Sequence, residues 1–338
     1  MQAHALYNSI ICRAPSSPHW PKRLFEIQEI YYNEKSGNVT TLEKQHEITE
    51  NLSTKLKEVR ERYKSRMAQT VPTLLKSDQT PDVHSQGEFT ASIRAISQEC
   101  TSDMIHFAKE IIQYSLDALQ EPPPCDFSVL AIGSMARGEA TPYSDLEYLF
   151  LIQKTSKTIV EYFERLAMST YFLIGNLGET TLDYMDIVEL RGWFKDCAKS
   201  GFKIDGLEEK AGNIPTGNGR LESVNHFIAT PEELAARYTK VLCSPDEEKA
   251  LRGDFTAMLT YTTVIYQHGK AGLRNQFIFK IRQVPIPKQR ILVNTEMLKK
   301  DTAKFNFEPD ARIIYKGFTV DGRKSYTGFH LSCCLTWQ

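Results

Sequence analysis

Residues 126–152, DFSVLAIGSMARGEATPYSDLEYLFLI, constrain the fold more than any other stretch of this chain. An apolar run from Phe127 to Ile132 stops at Gly133-Ser134. A polar segment follows, and the apolar text resumes after Asp145-Leu146-Glu147 as Tyr148 to Ile152. Two runs of strand length around a glycine-bounded polar link predict strand, turn with a helix start, strand. Side chains alternate along a strand, so Asp145 and Glu147 leave from one side of the second strand and Leu146 and Tyr148 from the other. Two carboxylates on one face repel each other unless a cation lies between them. Magnesium fits that description, because it is usually held by one or two carboxylates with phosphate oxygens completing its octahedron. Gly133 lacks a Cβ, so its backbone can approach a phosphate closely. The amides of Ser134 and Met135 at a helix start would face that anion. The stretch therefore predicts a phosphate cradle beside a metal clamp.

The run from Gly133 to Glu147 carries Gly133-Ser134, Arg137-Gly138-Glu139, Pro142-Tyr143-Ser144-Asp145 and the acid pair in fixed order. It resembles the signature of the DNA polymerase β-like nucleotidyltransferase superfamily, and within it the branch of the PII-protein uridylyltransferases and their relatives. One position departs from that pattern: the second acid is Glu147 where the family usually has Asp. The resemblance implies an α+β fold, a small mixed sheet backed by helices. It also implies transfer of a nucleoside monophosphate from a nucleoside triphosphate to an acceptor hydroxyl, with release of pyrophosphate. Asp145 and Glu147 would hold Mg2+, Gly133 and Ser134 would cradle the triphosphate, and Ser144 would belong to the same binding set. Arg137 would either pair with phosphate or lock Glu139 and the turn. The uridylyltransferase branch points to a protein acceptor such as a tyrosine side chain. Two other readings share the fold: a regulatory or scaffold module without catalysis, suggested by Glu147, and a nucleotidyltransferase directed at nucleic acid.

Composition narrows these readings. The 338 residues, 41% hydrophobic and 25% charged, have enough apolar content for one large or two ordinary soluble domains. A formal net charge of −1 gives no global attraction to nucleic acid, which weighs against a polymerase-like role. The seven cysteines are scattered and never spaced Cys-x-x-Cys, which predicts reduced thiols in a cytoplasmic setting and neither a zinc site nor a disulfide frame. No run approaches the roughly 20 apolar residues of a bilayer span.

Along the chain, residues 1–40 read as an irregular lead-in. Thr40-Thr41-Leu42-Glu43 resembles a capping box opening an amphipathic helix to about Gln69, with its apolar stripe at Ile48, Leu52, Leu56, Val59, Tyr63 and Met67. That stripe packs on the domain or serves as a partner-binding arm. Residues 77–92 read as a polar linker, and Thr101 or Ser102 as the cap of a helix that Pro122-Pro123-Pro124 stops. A helix from Thr158 to about Leu177 follows the second strand. Further strands are expected around Leu182 to Val188 and within 200–213, with a loop at Gly212 to Gly219.

Nucleotidyl transfer commonly needs a third carboxylate. Asp205 suits the strand order, Asp254 stands at a helix start, and Asp186 is the remaining candidate. Thr230-Pro231-Glu232-Glu233 is a helix start, and Ser244-Pro245-Asp246-Glu247 predicts another helix, running to about Tyr266. Lys270, Arg274, Lys280, Arg282, Lys288, Arg290, Lys299 and Lys300 form a basic run, either a solvated helix face or an arm toward a triphosphate or acidic acceptor. The apolar end, residues 326–338, suggests a shortened chain. The expected division is a lead-in and helical extension at 1–98, a catalytic core at 99–225 and a C-terminal helical region at 226–338.

Overall fold

Phe127–Ala131 (β1) and Tyr148–Ile152 (β2) pair antiparallel in the computed structural model, with Phe127 opposite Ile152 and Ala131 opposite Tyr148. The structure describes residues 7, 10, 19–36, 42–74, 83–179, 201, 202, 204, 227–242 and 261–283. Ile228–Ala229 (β3) adds to β2 in parallel, and Thr263–His268 (β4) adds to β1 antiparallel, giving a mixed four-stranded sheet of order β3-β2-β1-β4. Helices are His19–Ser36 (α1), Leu42–Leu74 (α2), Val83–Leu119 (α3), Gly133–Arg137 (α4), Lys157–Asn176 (α5), Pro231–Leu242 (α6) and Leu273–Arg282 (α7). This is the α+β class expected from the sequence.

Strand alternation sorts the core onto two faces. Phe127, Val129, Ala131, Tyr148, Phe150 and Ile152 bury in a cluster with the apolar stripes of α2, α3 and α5. Leu130, Leu149 and Leu151 point the other way and bury with Leu234 and Tyr238 of α6 and Leu273, Phe277 and Ile281 of α7. The stripe on α2 is thus covered from within the chain, by α3 among others. Polar rungs flank that helical pair: Asn51 with Tyr114, Lys55 with Glu110, Arg62 with Asp103 and Arg66 with Glu99, each step up one helix matching a step down the other.

Four expectations are corrected. The lead-in contains α1: Leu24 and Phe25 are buried, and Pro21 falls in the first turn, where a missing amide donor goes unneeded. Residues 83–92 are helical, because the apolar face of α3 continues N-terminally through the buried Ile96 and Ile93, and packing overrides a polar composition. Thr101 is therefore no cap but a buried residue inside α3. The helix predicted to run to Tyr266 gives way to β4, whose Thr263-Val264-Ile265-Tyr266 is β-branched and aromatic, types that fit a pleated edge better than a helix.

Side-chain caps open two helices, α5 one residue before the Thr158 start expected from the sequence and α6 at the expected Thr230-Pro231. Ser156 caps α5, its Oγ accepting the Ile159 amide at 3.3 Å. Before α6, Thr230 Oγ1 accepts the Glu233 amide at 3.2 Å while Glu233 Oε2 accepts the Thr230 amide at 2.9 Å, a reciprocal capping box. The sheet draws strands from both sides of residue 225. The strand at 182–188, the loop at 212–219, the helix start at 244 and the end at 326–338 lie outside the described residues.

Candidate active site

The open end of the β1–β2 pair is built by one extra rung. Ile132 donates its amide to the Glu147 carbonyl at 3.0 Å, one residue beyond the Ala131–Tyr148 pair, which brings Gly133 against Glu147. Gly133 has φ +63°, a left-handed backbone that side chains resist, and Glu147 Oε2 occupies the place its Cβ would take. The carboxylate thus rests on the bare Cα. Leu146 and Tyr148 are in the core, while Asp145 and Glu147 are half-buried and share the strand parity of Leu149 and Leu151. Among the described residues no group of three or more His, Cys, Asp or Glu side chains is gathered so as to hold a metal. A cation at this corner would draw on the two carboxylates plus oxygens from elsewhere.

The polar link between the strands is folded by its own hydrogen bonds. The short helix α4 ends at Gly138, whose φ of +76° reverses the chain, and Glu139 returns its amide to the Ser134 carbonyl at 2.9 Å. Arg137 Nε donates to Glu139 Oε2 at 2.9 Å. Ala140 donates its amide to Thr101 Oγ1 at 3.0 Å, which pins the link to α3. The Pro142–Ser144 turn is closed by the Thr141 amide on Ser144 Oγ at 2.8 Å and by the Ser144 amide on the Thr141 carbonyl at 3.0 Å. Ser144 is buried, and its hydroxyl shapes the turn that delivers Asp145.

A second tier went unread in the sequence. Arg60 of α2 forks onto Glu179, its Nη1 on Oε1 and its Nη2 on Oε2 at 2.7 Å. The same Nη2 lies 3.4 Å from the Pro142 carbonyl, and the guanidinium sits 4.6 Å from the centre of the Tyr143 ring. Nothing in local spacing marks these residues, because the contact spans 119 positions in sequence.

Asp205, Asp186 and Asp254 lie outside the described residues. Ile204, next to Asp205 in sequence, forms a parallel bridge with Leu146 between the two acids. Of the basic run, Arg274 donates to the Thr262 carbonyl at 2.6 and 3.0 Å and Lys280 pairs with Glu232 at 2.8 Å. Lys288, Arg290, Lys299 and Lys300 lie outside the described residues.

Residues 77–179 match the family model described as Putative nucleotidyltransferase DUF294. The match supports a nucleotidyltransferase-type family for this stretch. It spans α3, β1, α4, β2 and α5, contains Gly133, Ser134, Asp145 and Glu147, and ends on Glu179. No match emerges between the chain and curated proteins. No helix among the described residues is long and apolar enough to cross a membrane.

Proposed function

We propose that this nucleotidyltransferase-type chain moves a nucleoside monophosphate from a nucleoside triphosphate to an acceptor hydroxyl in a magnesium-dependent reaction. The observation that carries the reading is the seating of the Glu147 carboxylate on the bare Cα of Gly133, with Asp145 two residues before it. Two half-buried carboxylates at one strand end suit magnesium in number and in donor chemistry, since phosphate oxygens and water usually supply the remaining ligands. Asp145 and Glu147 would hold the ion. Neutralising charge on the phosphates is the chemistry it supplies when bound.

The remaining roles fall to the chain. The backbone at Gly133 and Ser134 would face the triphosphate, beside the Glu147 carboxylate that fills the place of the missing Cβ. Ser144 acts as a positioning residue through the turn, and Arg137 through Glu139. In the reaction a bond forms between acceptor oxygen and the α-phosphorus, the bond from that phosphorus to the bridging oxygen breaks, and the acceptor proton passes to a base. Asp205 or Asp254 is the candidate base. The acceptor we favour is a protein hydroxyl such as a tyrosine, from the resemblance to the uridylyltransferase branch. The formal net charge of −1 weighs against a nucleic-acid groove.

The test uses each of the four ribonucleoside triphosphates labelled at the α-phosphate, with Mg2+ and a protein extract as acceptor. Label transferred to protein with release of pyrophosphate, and lost in Asp145→Ala and Glu147→Ala, is the expected result. Equal transfer by the variants would overturn the roles of the acids. A scaffold role, which the unusual Glu147 also favours, would show as nucleotide binding without transfer.

A further inference from the structure

We infer that Arg60 is a positioning residue for the candidate active site: it fixes the Pro142–Ser144 turn directly and, through Glu179, the segment beside Leu146, and so holds Asp145 from both flanks. This rests on the assignment of Asp145 as a metal-holding acid.

Glu179 is the hub. Its two oxygens take the Arg60 fork, and Oε2 also accepts the Phe202 amide at 2.9 Å. The approach there is close enough to need glycine next door, since a Cβ on Gly201 would lie 2.5 Å from Glu179 Cβ. Two residues beyond Phe202, Ile204 bridges Leu146, the residue after Asp145. On the other side, the Arg60 guanidinium touches the Pro142 carbonyl and covers one face of the Tyr143 ring, just before Ser144 and Asp145. One ion pair thereby joins α2 to both chain segments that enter and flank the acid.

The rungs along α2 serve as an internal contrast. Arg62–Asp103 and Arg66–Glu99 link α2 to α3 alone and are well exposed, so each contributes little. Arg60 and Glu179 have side chains only 17% and 21% exposed, and Arg60 Nε is buried with no hydrogen-bond partner among the described residues. Desolvating a guanidinium this far is costly, and the fork geometry on a carboxylate gives orientation that a surface pair lacks. A lysine cannot reproduce it, because an ammonium is a point charge without the planar fork. Arg60 lies outside the family-matched residues 77–179, so α2 brings to the nucleotidyltransferase stretch a contact that the matched residues do not contain.

Hydrogen exchange read by peptide, alongside turnover, tests the inference in the full chain. In Arg60→Ala, exchange across residues 139–147 rises about tenfold or more, while β1 and α5 keep their wild-type rates. Turnover falls about ten- to a hundredfold with the nucleotide KM within about twofold, since a displaced acid weakens chemistry more than binding. Arg60→Lys, a milder change that keeps the charge, loosens the same segment. It decides the matter if the alanine variant does not fold. Arg62→Ala leaves both readouts at wild-type values. Unchanged exchange at 139–147, or a rise spread evenly over the chain, overturns the inference whatever the turnover. So does loosening without loss of turnover. Absence of turnover in the wild-type protein, with the turn loosened in the variants, would count against the nucleotidyltransferase reading alone and leave the anchoring of the turn supported.

Discussion

Gly133 and Glu147 form one unit, and each explains the other. A methyl at position 133 would meet the Glu147 carboxylate, and φ +63° would strain it besides. Gly133→Ala is expected to cost about 1–3 kcal/mol, read as a shift in denaturant midpoint. Glu147→Asp shortens the side chain that stands in the way. In a double-mutant cycle the pair should therefore couple favourably, by about 0.5–3 kcal/mol, and strict additivity would contradict the contact. At this scale the sequence was legible where chemistry is local. The acids, the bare glycine and the Arg137–Glu139 contact all lie within one short stretch. Thr101 and Arg60 were not legible, because each acts on this stretch from a helix distant in sequence. Residue type alone suggests a cap at Thr101 or Ser102, whereas the Thr101 hydroxyl serves the Ala140 amide.

Among the elements, α3 carries a load beyond packing. Thr101→Val removes the acceptor for a buried amide in the polar link while keeping the side chain's shape, and should cost about 1–3 kcal/mol. The loss should appear as faster exchange at Ala140, and a neutral substitution would show that another acceptor takes over. At α6 the reciprocal bonds of Thr230 and Glu233 predict a milder loss of about 0.5–2 kcal/mol for Thr230→Ala in thermal unfolding. Helix starts with side-chain caps were legible because their partners lie within one turn. The edge strand β4 is hidden in the sequence because the capping signal at Ser244 indicates a helix start without marking where that helix would stop. Its β-branched run was the better guide, but strand formation there depends on β1, more than a hundred residues earlier. All of α1 and the N-terminal part of α3 escape local reading for the same reason, since packing decides them and local propensity does not.

For the molecule as a whole, burial sets the alkaline limit of stability. Burial pushes the Cys100 thiol and the Tyr31 and Tyr162 phenols up to about 12, from ordinary values of 9.0 and 10.0. Folded, these groups keep protons that the unfolded chain loses first. Their contribution is complete below the unfolded values and is lost as pH rises toward about 12. The urea midpoint should hold steady to about pH 9 and fall above it, and a flat profile to pH 11 would contradict the burial of these groups. The central claim concerns the two acids at the sheet end, and binding tests it without an acceptor. Calorimetric titration of nucleoside triphosphate into wild-type and Asp145→Ala protein, with and without Mg2+, is the most direct measurement. The account predicts binding that requires Mg2+ and weakens at least about tenfold in the variant, as expected when a metal-holding carboxylate is removed. Equal affinity in wild type and variant, or no dependence on the ion, would contradict it.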